Sequence, residues 1–497
     1  METDYDVVVI GAGVGGLAAA GLLAQSGLRV LVLERHSVVG GYCSTFRRSH
    51  FIFDAAVHAI GGWQQGDVIR RWCAQMEIAE DALSCVDLHP FYTIDVAGER
   101  IAVPANLDAL AQMLIERSPR DAEAIHRLIE EMKREGASVL QATLHNTPMS
   151  IAQGRIAQLS WAEYLANRFI SPEIELLLHA LCIYGGLEPQ RNSALFMIAM
   201  YYSYHRGAFY PIGSTQRFVD TLAKAVQRWG GTIRRKTSVQ RILMDKQGAV
   251  MGVRLANGDE ILASQVISNA DATKTLTEMI DRNCLPRTWQ QRLRRATYAS
   301  SAVVLYLAVR DEQWRKSVSS HETFYLPAWR PISATDFYYQ PGQPQQPYVF
   351  SLSIPSLSDA GLARPGHHVV ALMGLAQATI VEQLREERGK ASIEQDMRAH
   401  AERLLPGINQ CVLYREVATP RTFERYTANS HGAIYGWAKD TQHVFNSFTP
   451  QTPIKGLYLA GHWTVGVHGV YGSFISGVAV AQRMIDNMKQ LITAKTA

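Results

Sequence analysis

Residues 5–34 read YDVVVIGAGVGGLAAAGLLAQSGLRVLVLE, and this stretch decides the fold class. Tyr5–Ile10 is a continuous apolar run, the pattern of a strand buried on both faces. Val14 to Ser26 is rich in Ala and Leu and reads as a helix, with Gly27 at the position of a C-cap. Arg29 to Glu34 returns to a β run. Strand, tight turn, helix, strand is a βαβ unit, which demands a parallel sheet covered by helices.

The turn itself, Gly11-Ala12-Gly13-Val14-Gly15-Gly16, fits G-x-G-x-x-G. Gly11 permits the sharp turn, Gly13 lets backbone approach a pyrophosphate, and Gly16 lets helix and strand pack closely. The helix N-terminus offers free N–H groups to phosphate. Glu34, 18 residues after Gly16 and at the end of the second strand, is placed to accept hydrogen bonds from an adenosine ribose. The competing reading, a Gly-rich helix start with a surface Glu, does not account for the strand before and the acid after.

Three features further along the chain favour FAD over a nicotinamide dinucleotide. Gly40-Gly41 follows Glu34 after a short spacer and suits a second close approach to the cofactor. Thr237-Ser238-Val239 lies in a mid-chain β run that can cover the adenine. Gly456 to Gly461 (GLYLAG) reads as a strand, and Gly466 and Gly469 lead from it to a helix expected to start near Gly472-Ser473. Such a helix N-terminus stabilises negative charge on a flavin.

Between these landmarks the pattern alternates. Leu107 to Ala180 has helical periodicity with many charges. Thr232 to Ser268 returns to short β runs, with Asn257-Gly258 marking a hairpin. Ser301 to Val309, Tyr348 to Ile354 and His368 to Leu375 are apolar β runs of a separate antiparallel sheet, flanked by a helix from about Thr379 to Leu405. The expected fold is therefore α/β: a Rossmann-type FAD-binding domain with an interleaved antiparallel-sheet substrate domain and a helical insertion. The FAD-binding domain is assembled from residues 1–66, 206–275 and 426–497. Residues 67–205 form the insertion, and residues 276–425 the substrate domain.

Composition narrows the function class. With 47% hydrophobic and 19% charged residues among 497, the chain has ample core. A net charge of +4 is too mild for a nucleic-acid binder and is compatible with contact at an anionic membrane surface. No apolar run reaches membrane-spanning length. The first strand begins almost at Met1, leaving no room for a signal peptide before it. Six scattered cysteines with no CxxC pair read as free thiols of a reducing compartment, with no metal site. The expected location is cytoplasmic, with peripheral membrane contact an open alternative.

The motifs GAGVGG, LERHSVVGGYCSTF, FIFDAAVHAIGG, YPIGSTQRFVDTLAKAVQRWGG, VISNADA, TPRTFERYTANSHGAIYG and GLYLAGHW occur in this order over nearly the whole chain. Together they resemble the phytoene-desaturase type of FAD oxidoreductases, a group that includes carotenoid cis–trans isomerases and retinol saturases. The resemblance is weakest at residues 67–180 and 301–375. It implies FAD contacts at Gly11, Gly13, Gly16, Glu34, Gly41, Val239 and Gly461, with Arg35, Gly469 and Val470 beside them. The group commonly carries an Asp after the Gly of its C-terminal motif; this chain has His462, which alters the local charge.

In such an enzyme the flavin supplies the reactive atom, and few protein groups are required. His58, in the segment expected to run past the flavin, is a candidate proton donor or acceptor; a histidine tied to backbone is the bland alternative. His468 and Tyr471, between the C-terminal glycines and the last helix, are candidate acid–base groups or cofactor packing. Tyr184, Tyr201, Tyr202, Tyr204 and His205 line either a substrate channel or the core. Asp54 is expected to cap backbone.

The implied chemistry is desaturation, saturation or cis–trans isomerisation of a long apolar isoprenoid. No second dinucleotide motif and no CxxxxC pair is visible, so oxygen or a quinone is the expected electron acceptor. An amine or amino-acid oxidase, with Arg206 or Arg421 binding a carboxylate, and a non-enzymatic isoprenoid escort protein are the alternatives.

Overall fold

The computed structural model describes residues 3–496 apart from 146, 169, 319, 344–346, 378–386, 443–447, 465 and 467. Two seven-stranded sheets organise the chain. In the first, Tyr5–Ile10 lies between Val30–Leu33 and Glu260–Ser268, parallel to both. Thr232–Arg234 extends the sheet in parallel beyond Val30–Leu33, and Leu457–Leu459 pairs in parallel with Glu260–Ser268. Val250–Leu255 and Val239–Met244 add antiparallel strands on the far side. The Asn257-Gly258 turn joins Val250–Leu255 to Glu260–Ser268, with Gly258 at φ +95° as the hairpin requires.

The first helix, Val14–Gln25, is buried along almost its whole length. It packs against the last helix, Gly469–Thr496, and against Thr215–Arg228. An Ala/Leu/Gly surface with no large side chains permits such close helix approach.

The second sheet runs Val412–Ala418, Ser301–Arg310, His367–Ala376, Phe350–Ser353, Glu322–Leu326, Tyr92–Val96, Glu99–Val103. Ser301–Arg310 shows period-2 partition between two cores. Val304, Tyr306 and Ala308 join the helical insertion, while Val303, Leu305, Leu307 and Val309 pack on Ile393, Met397 and Ala401. Those last residues belong to the helix Glu387–Leu404; the expected start near Thr379 lies outside the described residues.

The structure differs from the sequence reading in two places. The insertion is not purely helical: Tyr92–Val96 and Glu99–Val103 form a hairpin, and Tyr92–Val96 pairs in parallel with Glu322–Leu326, so the second sheet is mixed. Both Ala97 and Gly98 have positive φ, the geometry of a tight two-residue hairpin turn. The last helix starts at Gly469, three residues before the expected Gly472. Among the described residues no helix is long and apolar enough to cross a membrane.

Candidate functional site

The first strand ends at a backbone-lined turn. Gly11 has φ +93°, and its N–H donates to the Leu33 carbonyl at 2.8 Å. A Cβ on Gly16 would meet the Gly11 carbonyl oxygen at 2.2 Å, so only glycine closes this turn. Gly13 caps the helix without a side-chain hydrogen bond, leaving its first N–H groups to another acceptor. Glu34 closes the far side: its Oε2 accepts from Ala12 N at 2.8 Å and its Oε1 from His36 N at 2.7 Å. Arg35 projects its side chain into solvent.

Gly40 N donates to the Ala12 carbonyl at 2.8 Å, which sets Gly41 beside Gly13. The segment before Val239 joins the same cluster, because Thr237 N donates to the Glu34 carbonyl at 2.8 Å. Residues predicted from four distant motifs thus meet at one turn.

Gly461 and His462 follow the strand Leu457–Leu459. Gly461 has φ +84°, and its N–H donates to Ser476 Oγ at 3.2 Å. Asn269, of the VISNADA stretch, fills the junction: Cβ atoms built on Gly13, Gly15 and Gly461 would each lie 2.6–2.8 Å from its amide group. The His462 imidazole is tilted against Tyr42, with ring centroids 6.0 Å apart. Burial, with help from the Lys439 charge, pushes its pKa down to about 3. Lys439 is itself buried, donates to the Thr464 carbonyl at 2.6 Å, and is pushed down to about 8 by burial. Gly469 opens the last helix with φ +73°, and Val470 is buried in its first turn.

The three candidate acid–base residues have different surroundings. His468 is buried and stacked on Tyr435 with centroids 4.2 Å apart, and its Nε2 lies 3.2 Å from the Gly185 carbonyl. Burial, then the Lys439 charge, holds it well below the ordinary histidine range, so the ring is neutral. Tyr471 donates its hydroxyl to Asp67 Oδ1 at 2.7 Å, and Arg206 also pairs with Asp67, at 3.0 Å. Arg206 is thereby committed, while Arg421 is exposed on its helix.

His58 is buried, with Nδ1 3.2 Å from Oε1 of Glu322, a residue with no solvent exposure. Burial works against a charge on the imidazole, but the charge and hydrogen bond of Glu322, and the charge of Asp54, raise its pKa overall. Asp54 accepts from Thr215 N at 3.1 Å, from Thr215 Oγ1 at 2.7 Å and from Tyr210 Oη at 2.5 Å, so it caps the helix Thr215–Arg228.

Around the start of the last helix the side chains are aromatic. Tyr204 stacks on Phe91, and its hydroxyl lies 3.3 Å from a Cβ built on Gly469. Tyr184 packs on Tyr204 and edge-on to Phe324. Tyr201 bonds the Leu178 carbonyl, and His205 lies over Tyr201. Tyr184 and Tyr204 therefore turn toward Gly469, and Tyr201 and His205 toward the helical core. Sequence reasoning did not single out Asn269, Gly15, Gly477 or Glu322. For Gly15 and Gly477 the signal was available, as small residues spaced along two helices that must touch.

A family model, that of the flavin containing amine oxidoreductases, matches residues 14–485. The chain belongs to this family. The flavoenzyme is also similar to chloroplastic prolycopene isomerase of Daucus carota, at 26% identity over 97% of this chain and 80% of that protein. It is 29% identical to all-trans-retinol 13,14-reductase of Macaca fascicularis, over 98% of this chain and 87% of that protein. Among solved structures, an oxidoreductase from Methanosarcina mazei superposes with TM-score 0.68 at 18% identity, covering 96% of this chain and 100% of that one.

The flavoenzyme's cofactor is FAD, and the site fits it. The strand ends around the turn are buried, yet Gly41 is exposed and Gly11, Gly13, His462 and Gly469 are half-buried. That accessible strip is almost free of side chains, and it leads from the first helix N-terminus to the aromatic cluster. An elongated diphosphate-linked dinucleotide suits this shape, with phosphate at the uncapped N–H groups. Among the described residues no group of His, Cys, Asp and Glu side chains could hold a metal ion.

Proposed function

We propose that this flavoenzyme acts on carbon–carbon bonds of a long apolar isoprenoid or polyene, by desaturation, saturation or cis–trans isomerisation. The observation that carries the reading is the aromatic lining beside Gly469, where Tyr184, Tyr204, Phe91 and Phe324 present ring faces and edges. The named activities of the isomerase and reductase relatives support the same substrate class. Arg206, which a carboxylate-binding oxidase would use, is held by Asp67.

In this reading Gly11, Gly13 and Gly16 with the first helix N-terminus bind the FAD diphosphate. Glu34 and Arg35 border the ribose, Val239 covers the adenine, and Gly41 approaches the cofactor backbone to backbone. Gly461, His462, Gly469 and Val470 border the flavin. When bound, FAD supplies two-electron hydride exchange with carbon. The aromatic side chains orient the polyene and exclude water; His58 holds a proton close to them; His468 and Tyr471 shape the flavin's surroundings. Electrons pass to oxygen or a quinone. An apolar substrate is collected from lipid, and Ile151, 81% exposed, is suited to touch a membrane surface.

The test is to purify the protein, record its visible spectrum, and incubate it with phytoene, cis-lycopene and retinol in detergent micelles. A flavin spectrum with conversion of one of them is expected. A normal flavin spectrum with none converted, and peroxide released on feeding amines, would overturn the polyene reading.

A further inference from the structure

Glu322 is fully buried, yet only one of its carboxylate oxygens is satisfied. Oε1 meets His58 Nδ1 at 3.2 Å, and Oε2 has no hydrogen-bond partner among the described residues. Leaving a buried carboxylate oxygen without a hydrogen-bond donor is unfavourable, so its presence calls for an explanation. The Tyr184 hydroxyl is buried as well and faces the Glu322 carboxylate, which acts on it through its charge and as a hydrogen-bonding group. Burial foremost, and then the Glu322 charge, raises the pKa of Tyr184, and the same charge also bears on Tyr204 and Tyr435. The unsatisfied oxygen therefore stands among the rings that border Gly469.

The dyad is fixed from behind. His321, next to Glu322 in the chain, lies with Nε2 2.9 Å from the His58 carbonyl oxygen and Nδ1 2.8 Å from Ser358 Oγ. Its pKa is pushed down to about 3 by burial and the His58 charge, so it is neutral and holds the His58 backbone. The other charge facing His58 is Asp54, which its three hydrogen bonds occupy. His58 and Glu322 thus form a buried pair beside the aromatic site, with the Tyr184 hydroxyl also facing the carboxylate.

We propose that Glu322 is the catalytic acid–base group that exchanges a proton with the substrate carbon, and that His58 is its positioning and proton-supplying partner. The proposal rests on the polyene reading. In desaturation one C–H bond breaks with its electron pair leaving as hydride to oxidised FAD. The adjacent C–H bond breaks with its electrons forming the new double bond and its proton passing to the Glu322 carboxylate, then to His58 and water. Saturation runs the balance backward, with the hydride from reduced FAD and the proton from the Glu322 carboxyl.

The experiment compares Glu322→Gln, Glu322→Asp and His58→Gln with the parent flavoenzyme. The flavin spectrum and the polyene absorption shift on binding are expected to persist in Glu322→Gln. Turnover is expected to fall by roughly 10²–10⁴-fold, with the pH limb of kcat lost, partial rescue in Glu322→Asp, and that limb displaced in His58→Gln. Infrared spectroscopy supplies a reading independent of turnover: a carboxyl band that titrates together with the His58 imidazole, absent in Glu322→Gln. Turnover within threefold of the parent with an unchanged pH profile, or no such coupled band, overturns the proposal. A flavin-loaded parent that converts no polyene but shows the coupled band overturns the polyene reading instead.

Discussion

A Cβ atom built on Gly477 would lie 2.0 Å from the carbonyl oxygen of Gly15. The last helix therefore crosses the first with backbone on backbone, next to the turn that receives the diphosphate. In a free helix Gly→Ala is stabilising by about 1 kcal/mol. Here the methyl group has nowhere to go, and the clash is with main chain that cannot rotate away. Gly477→Ala is expected to destabilise by about 1–3 kcal/mol and to weaken FAD retention. Thermal melting and release of flavin fluorescence on dilution check both; an unchanged melting temperature would sink the argument.

Asp54 caps a helix 161 residues away in sequence, where Ser214, at the N-cap position, makes no side-chain capping bond. Asn at this position keeps the shape but turns an NH₂ group toward one of the donors from Thr215 or Tyr210. Asp54→Asn is expected to cost about 1–3 kcal/mol, read as a lower urea midpoint with unchanged slope. A smaller loss would show that the capping role is not needed.

The Tyr471 hydroxyl donates to Asp67, which also holds Arg206 and accepts from Val68 N at 2.6 Å. Tyr471→Phe removes one of three bonds to a carboxylate that keeps the other two. The expected result is a stability loss of about 1 kcal/mol with kcat within about threefold of the parent. A loss of turnover by more than a hundredfold with flavin still bound would instead make Tyr471 an acid–base group.

What was legible in the sequence was local or strongly periodic. The Tyr5–Glu34 unit declares itself because a doubly buried strand, a glycine turn and an acid at the next strand end all lie within 30 residues. The Tyr92–Val103 hairpin was hidden by its charged second strand and by the long helical pattern that follows it, although Tyr92, Ile94 and Val96 alternate with polar neighbours. The Glu322–His58 pair was not legible: 264 residues separate the partners, and neither segment looks unusual alone. The pairing of Glu322–Leu326 with Phe350–Ser353 on one side and Tyr92–Val96 on the other, itself a tertiary fact, sets Glu322 in the interior.

The buried imidazoles set the acid response of the fold. Burial pushes His179 and His205 down to about 4, and burial with a nearby positive charge pushes His321 and His462 to about 3. An unfolded histidine takes its proton near pH 6.5. Between that pH and 4 the unfolded chain binds more protons, so stability falls as pH falls, by up to about 1.4 kcal/mol per pH unit for each group. His58 has the opposite sign: its raised pKa gives stability that is present below pH 6.5 and is lost as pH rises through its folded value. The melting temperature at fixed ionic strength is expected to drop steeply from pH 6.5 to 5. A flat profile over that interval would contradict the neutrality of these rings.

His179 isolates one part of that response. It is buried on the helix Pro172–His179, and neither ring nitrogen has a hydrogen-bond partner among the described residues. Burial alone accounts for its lowered pKa. Leucine is of similar volume and leaves no polar atom unsatisfied, whereas asparagine keeps the polarity and loses volume. His179→Leu is therefore expected to stabilise the protein by about 1–3 kcal/mol at pH 7 and to make the decline below pH 6.5 shallower by one proton. His179→Asn is expected to destabilise at pH 7 while removing the same proton. Urea titrations of both variants at pH 7 and pH 5.5 separate the two effects. Destabilisation by leucine would show that the imidazole makes a bond that its burial conceals.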